Sequence, residues 1–306
     1  MKRSYYSGTG TYPPELGEYC DSVASLASTA TLIETSESKP GNASRFRDIG
    51  SVTYLDLVAS ATLSTAYYAR ACVYGYLGRK GVYKPMYESI QEVTKLGYSY
   101  SILGTAILLY PLLYESPNAS SSDELVKRAS QLVRALDEEE ADWFLKAISL
   151  APPSYLGTLE VGKDYRSYKG SLSELLLDSS NHDEIVSDLV GGYRLTLRAL
   201  GLLREVGLVG AFLQLLCERP DGLIMRKHGS RTALLVSEMA CSALKGEVTV
   251  EELDSYLISN GLNPGSTADI IAAASFLDLY DRWWSLHPDY KGYLRKGCSR
   301  VSRSDN

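Results

Sequence analysis

Gly261-Leu-Asn-Pro-Gly-Ser-Thr-Ala-Asp-Ile-Ile-Ala-Ala-Ala-Ser-Phe-Leu277 reads as a helix with a polar, glycine-containing front end. Asn263 suits the N-cap, where its side chain accepts a bond from an otherwise orphan backbone N–H. Pro264 suits the first helical position, where a missing N–H costs nothing. Gly265, Ser266 and Thr267 line the first turn with small side chains, so a ligand can approach the backbone. Free N–H groups and the positive end of the macrodipole favour phosphate there. Asp269 sits just inside, where a carboxylate can hold a metal ion or a ribose hydroxyl. Taken alone, the stretch is equally readable as a well-capped core helix.

Outward from this stretch the same helical grammar recurs. Between Pro14 and about Thr35, Leu16, Cys20, Val23, Ala27 and Ala30 repeat at three and four. Thr53, with Asp56 three residues on, opens a long helical run to about Tyr76. Pro85 begins a helix ending near Gly97, and Ser101–Tyr114 reads as a short buried helix. Further helices are expected from Ser122 to Leu136 and from Glu138 to Leu150 behind an Asp137 cap. Others follow the Ser171/Glu174 capping box, from about His182 to Val206 and from Gly210 to Glu218. The last before the opening stretch run from Thr232 to Lys245 and from Thr249, capped with Glu252, to Ser259. Ala151–Gly170, with two prolines, reads as a loop. The first dozen residues form a loose arm, and the tail after about Lys291 is basic and frayed. Alternating strand patterns are absent. The chain is therefore expected to be all-α: one multi-helix, bundle-like domain over 1–306, its core at about 14–290, with active-site loops between helices.

The bulk numbers narrow the function. At 45% hydrophobic and 22% charged, the 306 residues have the composition of a soluble globular protein. A net charge of −6 argues against a general nucleic-acid binder, which carries a basic surface. No signal peptide is evident, and no apolar run reaches the length of a membrane span. The five cysteines are scattered without a C-x-x-C pair, which suits a reducing cytoplasm and gives no zinc site. His182 and His287 read as surface residues. Tyr is abundant (23) and Phe rare (4), so Tyr67, Tyr68, Tyr74 and Tyr76 are read as packing aromatics before any base-stacking face.

Three breaker-rich polar segments interrupt the helices. Ser38-Lys-Pro-Gly-Asn-Ala-Ser-Arg-Phe-Arg-Asp48 combines Lys39, Arg45 and Arg47 with Gly41, Asn42 and the carboxylate Asp48. Cations together with free N–H groups are what a polyphosphate needs. Arg219-Pro-Asp-Gly-Leu-Ile-Met-Arg-Lys-His-Gly229 places a turn at Asp221-Gly222 before the cations Arg226 and Lys227 and His228. The third segment is Asn263–Asp269. Each alone reads as a solvated loop or cap. No P-loop, G-x-G-x-x-G, H-E-x-x-H or G-x-S-x-G occurs.

In order along the chain, the three segments resemble the triphosphoribosyl-dephospho-coenzyme A synthase family. The resemblance rests on Lys39-Pro40-Gly41-Asn42, Arg47-Asp48, Thr53-Tyr54 with Ser60-Ala61, Asp221 to Arg226, and Pro264-Gly265-Ser266-Thr267-Ala268-Asp269, and it spans roughly residues 20 to 280. Bacterial members carry a glycine-, asparagine- and histidine-rich middle segment. Here Ser101-Ile-Leu-Gly104-Thr105 stands in its place, so the chain reads as a divergent member. The resemblance implies a cytoplasmic transferase that moves the triphosphoribosyl group of ATP to a ribose hydroxyl of 3′-dephospho-CoA and releases adenine. Lys39, Arg45, Arg226 and Lys227 are then expected at phosphates, with Gly41, Asn42, Arg47 and the backbone of Gly265, Ser266 and Thr267 assisting. Asp48, Asp221 and Asp269 are candidates for the catalytic base, and Asp48 and Asp269 for Mg²⁺. The resemblance points to ATP and dephospho-CoA as partners, excludes nucleic acid and membrane, and leaves an oligomer open. Two rival readings keep less of it: a nucleotide-dependent transferase or N-glycosidic hydrolase with another acceptor, and a non-catalytic helical binding protein.

Overall fold

The computed structural model describes residues 14–151 and 168–290. The expected loop at Ala151–Gly170 lies, but for its ends, outside them, as do the N-terminal arm and the basic tail. Fourteen α-helices occupy the described residues, which contain no sheet and only two isolated bridges, Ser44 with Arg47 and Ile49 with Val52. They are α1 (Pro14–Ser36), α2 (Tyr54–Leu63), α3 (Thr65–Tyr76), α4 (Lys84–Lys95) and α5 (Leu103–Glu115). There follow α6 (Ser122–Val133), α7 (Glu138–Leu150), α8 (Leu172–Ser179), α9 (Glu184–Val190) and α10 (Arg194–Glu218). The last four are α11 (Gly222–His228), α12 (Ser230–Leu244), α13 (Val250–Ser259) and α14 (Gly265–Leu286).

Most boundaries follow from caps. Thr53 accepts the Asp56 N–H at 3.0 Å at the start of α2, and Asp137 accepts those of Glu139 and Glu140 at the start of α7. Ser171 and Thr249 close reciprocal capping boxes with Glu174 and Glu252. Five expectations need correction. The run from Thr53 to Tyr76 is two helices, divided at Ser64. The segment from His182 is not one helix either, because it breaks at Gly191–Tyr193 between α9 and α10. The separation expected between Val206 and Gly210 is only a kink at Gly207, with φ 73°. Asp221-Gly222 is no free turn: Asp221 N-caps α11. At the opening stretch, the cap is Pro264, and α14 starts at Gly265. The Asn263 side chain is drawn across to Asn42 instead, whose Nδ2 donates to it at 2.7 Å.

A single hydrophobic core runs through the described helices, with α14 at its centre against α1, α5 and α10. Ile270 to Leu277 of α14 are buried on every side, so this helix has no solvent face over two turns. Tyrosine does the work of phenylalanine here: Tyr83, Tyr110, Tyr193 and Tyr280 are fully buried, and Tyr83, Tyr193 and Tyr280 each donate a hydroxyl hydrogen bond to a backbone carbonyl. Tyr68 packs edge-on against Tyr110, so this member of the α3 tyrosine group is core. By length and hydropathy α10 would suffice to cross a membrane. It carries Arg198 and Arg204, however, which pair with Glu218 and Asp278, and it packs on α12 and α14.

The cysteines are not all free thiols. Cys20–Cys72 joins α1 to α3, and Cys217–Cys241 joins α10 to α12. Their sequence separations of 52 and 24 residues left no short motif to read.

Candidate active site

A cavity of about 540 Å³ opens where the three polar segments meet. Its wall takes Glu34 and Thr35 from the end of α1, Asn42 from the following loop, and Gly104 and Thr105 from the start of α5. Asp183 precedes α9, Arg226 and Lys227 come from α11, and Asn263, Gly265, Ser266 and Asp269 come from the front of α14.

Asp269 is a half-buried carboxylate of this wall. Its Oδ1 accepts from Thr105 N at 2.9 Å and Thr105 Oγ1 at 2.6 Å. Gly104 lets α5 come this close, since a Cβ there would lie 2.2 Å from Asp269 Oδ2. Burial pushes the Asp269 carboxyl up to about 7; the negative charges of Glu34 and Asp221 add to this, and the Thr105 bonds oppose it. Burial likewise raises the Glu34 carboxyl, with Lys39 pulling it back. At the rim, Lys227 is lowered by desolvation and then by the neighbouring charge of Arg226. Arg226 is itself paired with Asp183 at 3.3 Å.

Of the residues expected from the sequence to bind substrate or catalyse, Asn42, Arg226, Lys227, Gly265, Ser266 and Asp269 line the cavity; the others do not. Lys39 is buried and has all three ammonium protons committed, to Glu34 Oε1 at 3.0 Å, to Glu37 O at 3.0 Å and to Glu34 O. Arg45 is exposed, with its guanidinium 4.5 Å from the Phe46 ring centre. Arg47 forms a two-pronged pair with Asp254, at 2.7 Å on each arm. Asp48 is exposed and accepts the Tyr54 N–H at 2.7 Å. Gly41, with φ 72°, is wedged between α13 and Pro264, where a Cβ would lie 2.9 Å from Leu257, Leu262 and Pro264. Its N–H donates to Asp254.

Asp221 is buried between α11 and α14. It accepts from Leu223 N and Ile224 N on one oxygen, and from Thr267 N and Thr267 Oγ1, both at 2.8 Å, on the other. Thr267 and Asp221 therefore satisfy each other away from the cavity. Gly265 N donates to Asn263 O, so two of the first three N–H groups of α14 are consumed internally. What the sequence did not single out is Glu34, Asp183 and the Asp269 partners on α5. Ser101–Thr105 carried a faint signal as the replacement for a family segment; Glu34 and Asp183 carried none.

Among the described residues, no group of three or more His, Cys, Asp or Glu side chains is gathered. Asp48 also stays outside the cavity that holds Asp269.

Fold and site together define an all-helical protein whose loops and helix ends line a cavity with the half-buried Asp269 carboxylate beside the cations Arg226 and Lys227. A model of the ATP:dephospho-CoA triphosphoribosyl transferase (CitG) family matches residues 20–288, and the chain belongs to that family. Among solved structures it is similar to one from Archaeoglobus fulgidus provisionally named a triphosphoribosyl-dephospho-CoA synthase. The two are 25% identical with a TM-score of 0.58 over 72% of this chain and 98% of that one. No curated protein matches the sequence.

Proposed function

We propose that the cavity at Asp269 carries out the family reaction: the triphosphoribosyl group of ATP passes to a ribose hydroxyl of 3′-dephospho-CoA, and adenine leaves. The observation that carries this reading is the meeting of three segments, far apart in sequence, on one cavity that holds the half-buried Asp269 carboxylate and the cations Arg226 and Lys227. The hydroxyl oxygen bonds to the anomeric carbon of ATP as the bond from that carbon to adenine breaks. The hydroxyl proton goes to the base, and adenine departs with the bonding pair and is protonated from water.

Asp269 is the base in this scheme. A carboxyl held near 7 is matched to proton transfer at neutral pH, where an ordinary aspartate is too weak a base. Arg226 and Lys227 offset triphosphate charge, and Asn42 and Ser266 offer neutral hydrogen bonds. Mg²⁺ is assigned to the incoming ATP as part of the substrate, consistent with its habit of binding substrate phosphates with few protein ligands. Calorimetry with Mg²⁺ alone is then expected to be silent, and heat without ATP would overturn that assignment. A transferase that consumes ATP belongs in the cytoplasm. Structural disulfides are rare in the cytosol of mesophiles but common in intracellular proteins of hyperthermophiles.

Chromatography of adenine formed from ATP, with and without dephospho-CoA, tests the reading. Acceptor-dependent release supports it; release from ATP alone means an N-glycosidic hydrolase, and no release with no heat on adding MgATP means a binding protein. Asp269→Asn is expected to slow release by about 10²–10⁴-fold. In the wild type the rate is expected to rise with pH through about 7, as Asp269 loses its proton, and to level off above. A folded Asp269→Asn variant with the wild-type rate would remove Asp269 from the base role.

A further inference from the structure

The proposed reaction holds two nucleotides at once, yet the cavity at Asp269, at about 540 Å³, is the size of a pocket for one small ligand. A second cavity of about 500 Å³ adjoins it, and Asp183 and Arg226 belong to both walls. The second cavity is otherwise lined by Asn181, His182, Glu184, Ser187, Arg219 and Met225, among others. Arg219 is half-exposed and stands 3.7 Å from Glu184, beyond hydrogen-bond reach.

Glu184 holds that cation only loosely. One of its oxygens accepts the Gly222 N–H at 2.8 Å. Burial first, and then the charge of Asp221, push its carboxyl up from the ordinary range, which weakens its claim on Arg219. The cavity thus presents two guanidinium groups, Arg219 and Arg226, beside the carboxyl groups of Glu184 and Asp183. Planar guanidinium forks of this kind match phosphate oxygens. A third cavity, of about 530 Å³, touches the first only through Leu150, and its Lys146 is already paired with Asp142 at 2.6 Å.

Resting on the transferase reading, we propose that the second cavity is the acceptor subsite: it holds the diphosphate-linked nucleotide of 3′-dephospho-CoA, with Arg219 on the diphosphate. Arg226, in the shared wall, stands between the two nucleotides. ATP, the other source of phosphate, stays in the first cavity.

Steady-state kinetics with each substrate varied in turn separates the two cavities. Arg219→Ala is expected to raise KM for dephospho-CoA roughly tenfold or more, the scale of a lost charged hydrogen bond. KM for ATP and the rate at saturating acceptor should hold within about twofold. Met225→Trp, which fills the cavity from an exposed α11 position and keeps every ionic side chain, is expected to give the same split. Unchanged KM for dephospho-CoA in either folded variant overturns the subsite, and so does a rise in KM for ATP. Calorimetric titration of dephospho-CoA into wild type and Arg219→Ala reads the same site without turnover. If the wild type forms no product yet binds dephospho-CoA and the variant does not, the subsite stands and the transferase reading falls. If the wild type turns over and both proteins bind dephospho-CoA equally, the subsite falls alone.

Discussion

Asp269 depends on its neighbours on α5 for its position, while the Thr105 bonds hold its basicity down against burial. Thr105 supplies two donors to one oxygen, while Gly104 leaves the other oxygen no room for a methyl group. Gly104→Ala is therefore expected to push the carboxylate out of register. The overpacking should cost about 1–3 kcal/mol of stability, read from urea unfolding, and adenine release should fall with it. A Gly104→Ala protein with unchanged stability and rate would mean that α5 yields freely at this point. Asp48 makes the contrast. It lies outside the cavity and ties down only the first turn of α2, so Asp48→Ala is expected to leave adenine release near the wild-type rate.

At the scale of elements, the polar segments are joined less by one another than by the helices they brace. Asp254 of α13 takes the Gly41 N–H and both arms of Arg47, which docks the Lys39–Asp48 loop beside Pro264. Asp221 does the same for α11, bridging it to the front of α14 through Thr267. Such residues hold the cavity together without lining it. Asp254→Ala is expected to lower stability by about 1–3 kcal/mol, the range for hydrogen bonds to a charged group, and to raise KM for ATP as Asn42 loses its seat. Urea unfolding and the adenine assay read the two effects. A lowered stability with unaltered KM would confine Asp254 to a role in folding.

In the whole molecule, the helices close on one core around α14, and two disulfides fasten its periphery. Of five cysteines, the four in the described residues are bridged, so unfolding without reductant is expected to expose far fewer titratable thiols than unfolding with it. Breaking each bridge should cost about 2–4 kcal/mol of stability. Five thiols titrating without reductant would show that the bridges are absent. The sequence by itself determined the helical class and most helix starts, and it singled out Asn42, Arg226, Lys227 and Asp269, which the fold gathers on one cavity. Caps, breakers and 3.6-residue periodicity act over a few residues and leave a local trace. Only the tertiary structure decided that Lys39 is spent on Glu34 and Arg47 on Asp254, that Asp221 ties α11 to the front of α14, and that Gly104 and Thr105 pack on Asp269. It also decided the cysteine pairing. The physical reason is the same throughout: a buried charge or thiol is settled by the partner that packing brings to it from a distant part of the chain, and neither composition nor spacing names that partner.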